Sequence, residues 1–515
     1  MAPFRRLLPR RRWLRILLLV VVGLVVLTAA YQASLHRRVG DPPVRTAAQV
    51  AADQRAAEAR AAAAAATSTT PPSTPPAAVD DGGSDVPPAA TVPDVPLAWK
   101  REAAQAAAWP RATSAPALGR AQALPTVPAA RVRDTIGLNV DLWRTEYGYR
   151  DFSKVIAKAA ELSLRHARVT MLAGPTFGLS RMQALGEIGV RLDVEMGDAF
   201  GRYSMAPYPT LEQRLKASVL PYVDSVEGTN EPDLAKVADW AGPARSLQKK
   251  IVAGVAAQRG KPIAVIAPAV GKITSIPELG DYAGLADATN AHAYSNGAEP
   301  STALDDWLAA LAPESHGAPT VVTEAGFQDD VGQRNYQLPL PSGIAADYVP
   351  RTILEAMRRG IPRVYLYEMI NRWSDPFHVD AGAHFGLLDQ NLRPKPAWTS
   401  LLRLQRALLD GGRPDAAAAP LHATVVAGPS DLRLLAFRRK DGRAALAVWR
   451  SVSEWNTQAG TASPVAPAQV EIDIDGSLAG ALTTNLTTGS HERLTGGRTL
   501  RLRLSGSPVV VDGIR

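Results

Sequence analysis

Two glutamates each stand at the end of a short apolar run, where a carboxylate can act as acid, base or nucleophile. Glu231 lies in the stretch 225–233, and Pro232 must end the strand there because proline cannot continue a hydrogen-bonded ladder. Glu324 ends a second run of the same kind, 319–327. If the two carboxyls lie close together, their like charges raise the pKa of one, so that one holds a proton while the other is ionised.

The elements that would position these glutamates are strands and helices that alternate from residue 134 onward. Eight apolar runs are predicted as strands: 135–142, 166–172, 190–196, 223–231, 262–270, 288–294, 320–324 and 363–369. Helices are predicted at 152–162, 180–188, 211–220, 239–258, 276–285, 303–311, 345–359 and 396–409. This alternation predicts an α/β protein with a (β/α)8 TIM barrel over 131–412, which places its chemistry at the carboxyl ends of the strands. A doubly wound open sheet is the alternative fold, although no Gly-rich phosphate loop accompanies it.

The sequence on either side of the barrel has a different texture. Residues 413–515 contain short alternating runs separated by turn signals, which predict a C-terminal antiparallel β-sandwich. Residues 36–130 are rich in Ala and Pro and are predicted to form a disordered linker. Residues 1–35 combine a basic segment with an apolar run, and 13–35 is long enough for a transmembrane signal-anchor. We therefore expect a single-pass cell-membrane protein with its barrel outside the cytoplasm, or a secreted one if cleavage occurs at 28–30.

Charge and cysteine content exclude several classes of function. The net charge is +8, and residues 1–45 account for all of it with nine Arg and one Asp. The remaining 48 basic and 48 acidic residues balance, so the body of the chain has no overall basic character for binding nucleic acid. Cysteine is absent, which excludes disulfides, a cysteine nucleophile and a thiolate metal site.

The motif Asn230-Glu231-Pro232 on strand four, together with Glu324 on strand seven, resembles clan A retaining glycoside hydrolases, with families 39 and 5 the nearest. The resemblance implies hydrolysis of β-glycosidic bonds with retention, with Glu231 as acid/base and Glu324 as nucleophile. Such a pair needs carboxyl groups about 5–5.5 Å apart. The implied partner is an extracellular oligo- or polysaccharide.

The same resemblance suggests four supporting residues. Asn230 matches the asparagine that hydrogen-bonds the sugar 2-hydroxyl, and Arg168 matches the arginine that keeps the nucleophile ionised, with Arg165 as a competitor. Tyr294 matches the tyrosine that donates to the nucleophile. His292 lies two residues before it, on the same face of strand six, and would be its neighbour in the site.

Strand eight departs from the clan pattern, which often places a tryptophan there as a sugar platform. Glu368 or Trp373 could line the substrate site instead. Asn139 and Asp141 end strand one and could contact a sugar or cap a turn. Glu195 ends strand three and is a third carboxylate candidate, ranked below Glu231 because it lacks the Asn-Glu-Pro context.

Other chemistries have weaker support. His378 and His384 share one loop with Asp375 and Asp380, but they lack helical i, i+4 spacing and a second cluster, so we predict loop polar groups and no metal or cofactor. A Gly-x-Ser-x-Gly motif is absent. A non-catalytic carbohydrate-binding or polysaccharide-assembly protein and a transglycosylase remain alternatives on this fold. The sugar, endo or exo action and the oligomeric state stay open.

Overall fold

The computed structural model of the chain describes residues 115–171, 177–197, 215–235, 238–258, 262–334, 337–409 and 419–515. The predicted membrane segment 13–35 and most of the predicted linker lie outside these ranges, so both stay predictions. The predicted helix 211–220 also falls largely outside them. Within the described ranges, no helix is long and apolar enough to cross a membrane.

The end of the predicted linker forms secondary structure. It forms two short strands, β1 (Ala121–Leu124) and β2 (Thr126–Pro128). β1 pairs antiparallel with 421–424, and β2 pairs parallel with 436–438. The side chain of Val127 is fully buried there. The segment is short and rich in proline, and pairing with strands about 300 residues away, which the local sequence does not reveal, gives it its structure.

Eight parallel strands confirm the predicted barrel. They are β3 (Ile136–Asn139), β4 (His166–Thr170), β5 (Arg191–Gly197), β6 (Val223–Thr229), β7 (Ala264–Ile266), β8 (Thr289–His292), β9 (Thr320–Ala325) and β10 (Val364–Leu366). Their order in the sheet is β7-β6-β5-β4-β3-β10-β9-β8. A parallel bridge between Ile266 and Ala288 joins the two outermost strands, so the sheet closes on itself.

The helices that follow the strands match the predicted pattern, with shifts of a few residues at most ends. They are preceded by α1 (Arg131–Thr135), a short helix before β3 that was not predicted. The helices that follow strands are α2 (Phe152–Glu161), α3 (Phe177–Glu187), α4 (Ala241–Ala256), α5 (Ile276–Leu279), α6 (Pro300–Ser315), α7 (Ser342–Arg358) and α8 (Pro396–Leu408). α2 shows the usual reason: it buries Val155 and Ala159 and leaves Lys154 exposed. α5 is only one turn long, where a longer helix was predicted. α7 differs from the others because nearly all its residues are buried between the barrel and the next domain.

The C-terminal domain is the predicted antiparallel β-sandwich. Its strands are β11 (Leu421–Ala427), β12 (Leu432–Arg438), β13 (Ala444–Arg450), β14 (Trp455–Asn456), β15 (Thr461–Ala462), β16 (Ala468–Ile474), β17 (Leu482–Asn485), β18 (His491–Arg493), β19 (Thr499–Leu504) and β20 (Val509–Ile514). One sheet has the order β1-β11-β16-β19 and the other β18-β17-β20-β13-β12-β2. Their inward-facing Leu, Val and Ile side chains form a separate hydrophobic core.

The barrel interior changes from apolar to polar along the strands. An apolar cluster of Ile266, Val321 and Tyr365 with two alanines fills one layer. The Tyr365 ring lies over Gly137, where an added Cβ would come within 2.4 Å of the ring, so only glycine fits. One pleat further along β9, Thr323 is buried and hydrogen-bonded. The apolar layer therefore supports a polar network at the carboxyl ends.

Candidate active site

The two predicted glutamates meet at the carboxyl end of the barrel. β6 ends at Thr229, earlier than predicted, and Glu231 adopts a left-handed backbone conformation with φ +44° immediately before Pro232. Such a conformation is uncommon outside glycine and concentrates at functional sites. One carboxylate oxygen of Glu231, one of Glu324 and a ring nitrogen of His292 all lie within 4.8 Å of one another. The carboxyls are therefore a close pair.

An open cleft of about 520 Å³ lies over this pair. Both glutamates line it, together with Asn139, Arg168, Asn230, Tyr294 and Glu368 from the predicted set, as well as the third carboxylate candidate Glu195. Among the predicted residues, His292 is 3% exposed and sits behind the two glutamates rather than in the wall.

Glu324 is held by three neighbours. Arg168 Nη1 donates to Oε1 at 2.5 Å, Tyr294 OH donates to Oε2 at 2.7 Å, and His292 Nδ1 lies 3.6 Å from Oε2. Burial alone would raise the pKa of the Glu324 carboxyl, but His292, Arg168 and Tyr294 outweigh burial and lower that pKa below its usual value. Glu324 is therefore ionised at neutral pH, as a nucleophile must be.

Arg168 organises the site from β4. Its guanidinium donates through Nη1 to Asn139 Oδ1 at 3.0 Å, through Nη2 to Asn230 Oδ1 at 2.8 Å, and through Nε to Glu227. Asn139 in turn donates to the Thr323 carbonyl at 3.0 Å, so it braces Arg168 against β9. The competitor Arg165 lies elsewhere: it is half-exposed and sits 3.7 Å from Asp134.

The hydrogen bonds around His292 show which of its ring nitrogens carries a hydrogen. Asn290 Nδ2 donates to Glu227 Oε2 and to the Ala267 carbonyl, which leaves its Oδ1 to accept from Thr323 Oγ1 at 2.6 Å. Thr323 Oγ1 has then used its hydrogen and accepts from His292 Nε2 at 3.1 Å.

The other ring nitrogen must therefore share a proton with the acid/base candidate. His292 Nδ1 lies 2.8 Å from Glu231 Oε1, and a hydrogen bond between them needs one proton, carried by either the ring or the carboxyl. Burial lowers the pKa of His292, but the charges of Glu324 and Glu231 outweigh it and raise the pKa above its usual value. The Glu231–His292 pair thus keeps a proton beside the cleft.

Two further buried carboxyls complete the network. Glu227, which the sequence analysis missed as a site residue, is 1% exposed and accepts from Arg168 and Asn290. Glu195 accepts from Thr170 Oγ1 at 2.8 Å and lies 3.7 Å from Arg168 Nη2, and burial raises its pKa to about 8. The signal for Glu227 was a charged residue four positions before Glu231 inside an apolar strand.

The residues that follow β10, the eighth strand of the barrel, form a charged wall of the cleft. The Tyr367–Glu368 peptide bond is cis, and Glu368 Oε2 accepts from Arg372 Nε at 3.0 Å. Glu368 Oε1 is buried and has no hydrogen-bond partner among the described residues. Burial raises the pKa of Glu368 to about 7.

Arg144 extends this wall and contacts two further predicted residues, Asp141 and Trp373. Asp141 accepts from Arg144 Nε at 3.0 Å and from the Trp143 amide, so it caps a turn as well as lining the cleft. Arg144 lies 4.6 Å over the ring of Trp373, which is half-buried. The wall therefore presents arginines and a carboxyl where the clan often has an indole.

Comparisons with known proteins establish the fold. No protein-family model matches the chain, and no curated protein matches it either. Among solved structures, the chain is similar to a family 39 glycoside hydrolase from Bacteroides cellulosilyticus WH2, with 17% identity, a TM-score of 0.50, and coverage of 76% of this chain and 82% of that one. It is also similar to a monomeric β-xylosidase from Caulobacter crescentus CB15, with 14% identity, a TM-score of 0.50, and coverage of 76% and 97%.

The resemblance to clan A glycoside hydrolases seen in the sequence is confirmed by these structures at the level of the fold. At identities of 14% and 17% the likeness does not transfer an activity. The function must be argued from the side chains of this chain.

Proposed function

We propose that the chain is a retaining glycoside hydrolase that cleaves β-glycosidic bonds of an oligo- or polysaccharide. The observation that carries the proposal is the close pair Glu231 and Glu324, whose carboxylate oxygens lie within 4.8 Å in an open cleft. Retaining enzymes keep their carboxyls about 5–5.5 Å apart, whereas inverting enzymes leave about 6.5–9.5 Å for a water molecule. The short separation favours retention.

The first step uses the two carboxyls in different protonation states. Glu324, ionised beside Arg168 and Tyr294, attacks the anomeric carbon and forms a C–O bond to it. The glycosidic bond breaks, and the proton held by the Glu231–His292 pair passes from Glu231 to the leaving oxygen, which departs as an alcohol. A glycosyl ester of Glu324 remains.

The second step returns both groups to their starting states. Glu231, now a carboxylate, accepts a proton from a water molecule as that water attacks the anomeric carbon. The ester bond breaks, the sugar leaves as a hemiacetal, and Glu324 regains its negative charge beside Arg168. Two inversions give net retention, and an alcohol in place of water would give transglycosylation.

Substrate binding is assigned to residues of the cleft wall. Asn230, fixed by Arg168 Nη2, is placed beside the nucleophile to contact the sugar 2-hydroxyl. Glu368 lines the cleft beside Arg372 and is assigned to the sugar-binding wall. Asn139 accepts from Arg168 Nη1, and the Trp373 ring contacts the guanidinium of Arg144, which lines the cleft. The arginine-rich N-terminus, with its apolar run, supports a location outside the cytoplasmic membrane.

The stereochemistry of the first-formed product tests the proposal. The full chain would be incubated with a panel of aryl β-glycosides and β-linked oligosaccharides, and proton NMR would record the anomer that appears first. A β-hemiacetal supports double displacement, while an α-hemiacetal would overturn it. Binding of oligosaccharides by the folded protein without any turnover would favour the carbohydrate-binding alternative. Elongated oligosaccharides would identify a transglycosylase.

A further inference from the structure

A second cluster of chemically active side chains lies on the same rim of the barrel, outside the cleft. Asp330 follows β9, while Asp375, His378 and His384 follow β10. A carboxylate oxygen of Asp330 and one ring nitrogen of each histidine all lie within 4.8 Å of one another. Asp375 Oδ2 is 3.1 Å from His384 Nε2. Three side chains from two loops therefore converge, and Asp375 adjoins them through His384.

Three nitrogen–oxygen separations in the cluster are close to those between neighbouring ligands of a small metal ion. His378 Nδ1 lies 3.2 Å from Asp330 Oδ1, and His384 Nε2 lies 3.6 Å from Asp330 Oδ2. Zn–N and Zn–O bonds of about 2.0–2.1 Å in a tetrahedron put neighbouring ligand atoms about 3.3 Å apart. The observed separations of 3.1, 3.2 and 3.6 Å surround that value.

One oxygen of the cluster, Asp330 Oδ2, has no hydrogen-bond partner among the described residues. The Asp330 side chain is 4% exposed, and its buried Oδ2 accepts no hydrogen bond from the described residues. Leaving a buried carboxylate oxygen without a hydrogen bond or cation is costly. Because Oδ2 faces His384 Nε2, which also approaches Asp375, a cation between these groups would satisfy it.

The ligands are held in place by their own loops, as metal ligands usually are. Asp330 Oδ1 accepts from the Gly332 amide at 3.1 Å, and Asp375 accepts from the amides of Val379 and Asp380. The His378 side chain is 63% exposed, which leaves an entry path from solvent.

We propose that Asp330, Asp375, His378 and His384 bind one divalent transition-metal ion, with Zn²⁺ as the expected species. Two imidazoles and two carboxylates are borderline ligands that suit Zn²⁺ better than Ca²⁺ or Mg²⁺. The ion would join the loop after β9 to the loop after β10. This proposal is independent of the glycosidase proposal. The sequence analysis left the two histidines as loop polar groups because the missing ligand, Asp330, lies 45 residues before Asp375.

Zinc titration of the full chain tests the site. The protein, purified without a histidine tag and stripped with a chelator, would be titrated with Zn²⁺ by calorimetry. We expect one Zn²⁺ per chain and a higher melting temperature, since an ion that binds only the folded state stabilises it. His378→Ala and His384→Ala should each weaken binding at least about tenfold. Because His378 is exposed, its variant should fold and melt like the wild type in chelator.

A matched control separates a metal site from ordinary histidine–aspartate pairs. His316 Nε2 lies 2.7 Å from Asp281 Oδ1 on the surface. Among the described residues, this pair belongs to no cluster of three or more possible metal ligands. His316→Ala should bind Zn²⁺ like the wild type. A chain that binds no Zn²⁺, or a His378→Ala variant that binds it as tightly as the wild type, would overturn the proposal.

A local readout adds an independent check. Phe377, next to His378, is 76% exposed and is a target for chymotrypsin. Zn²⁺ should slow cleavage at Phe377 in the wild type by several-fold, because it fixes both ends of the loop. The same ion should not protect His384→Ala. Equal cleavage of the wild type with and without Zn²⁺ would contradict the bridging of the two loops.

Discussion

The chain buries arginine in two networks that differ in charge balance. At the carboxyl ends of the barrel strands, the single Arg168 faces three glutamates: Glu195, Glu227 and Glu324. Between the barrel and the sandwich, three arginines of the α7 region pair with three acids. They are Arg351 with Glu454, Arg358 with Glu355, and Arg359 with Glu355 and Asp305.

The two networks also differ in what surrounds them. The α7 network is closed: Trp449 Nε1 donates to Glu355 Oε1 at 2.8 Å, and Arg351 donates to the Val452 carbonyl at 2.8 Å. The Arg168 network opens into the cleft through Glu195 and Glu324. Buried ion pairs between the barrel and the sandwich help to hold the two domains together, whereas an excess of carboxyls beside an opening favours proton transfer.

Removing a carboxylate charge from the open network should abolish activity. Glu324→Gln removes the nucleophile, and we expect kcat to fall by roughly 10⁴-fold or more. Stability should change little, because Arg168 keeps Glu227 as a partner. Steady-state kinetics and thermal unfolding measure the two effects. A variant with near wild-type kcat would contradict the role of this network.

The acid/base residue should show a smaller and partly reversible loss. Glu231→Ala should lower kcat by roughly 10²- to 10⁴-fold on substrates that need a protonated leaving group. Azide should restore part of the rate on aryl glycosides and yield a β-glycosyl azide, because this small anionic nucleophile attacks the glycosyl ester of Glu324 without a general base and displaces the carboxylate. Failure of azide to act, or an α-configured azide product, would count against Glu231.

Substitutions in the α7 network should lower the stability of the protein and leave its activity nearly unchanged. Glu355→Gln leaves Arg358 and Arg359 without their shared carboxylate, and Arg351→Met removes the bonds to Val452 and Glu454. Breaking a buried pair of this kind typically costs about 3–5 kcal/mol. Urea unfolding should show this loss, while kcat/KM of the folded protein stays near wild type. A variant with wild-type stability and a lowered kcat/KM would contradict a purely structural role for the α7 network.

A gradual effect is expected in the pH dependence of stability. Burial raises the pKa of Glu195 to about 8 from a usual value of 4.5, so its contribution to stability is complete below 4.5 and is lost as the pH rises through 8. The wild type should therefore lose up to about 1.4 kcal/mol per pH unit relative to Glu195→Gln in that window. Parallel stability curves for the two proteins would show that Glu195 is not protonated in the fold.

The sequence predicted the parts of the molecule that local patterns determine. All eight barrel strands and five strands of the sandwich, β12, β13, β16, β19 and β20, followed from apolar periodicity and turn signals, and Glu231 and Glu324 from their place at strand ends. Glu227, Thr323 and Asn290 were missed because their roles come from contacts across the barrel, which periodicity does not encode. β1 and β2 were read as linker for the same reason, since their partners lie far along the chain.

Covalent trapping tests most directly whether Glu324 is the nucleophile of a retaining glycosidase. The full chain would be incubated with a panel of 2-fluoro-β-glycosides that carry activated leaving groups, and peptide mass spectrometry would locate any adduct. We expect one sugar on the peptide that contains Glu324, slowed loss of label in Glu231→Ala, and no label in Glu324→Gln. Label on a different carboxylate, such as Glu195 or Glu368, would contradict the assignment of the nucleophile.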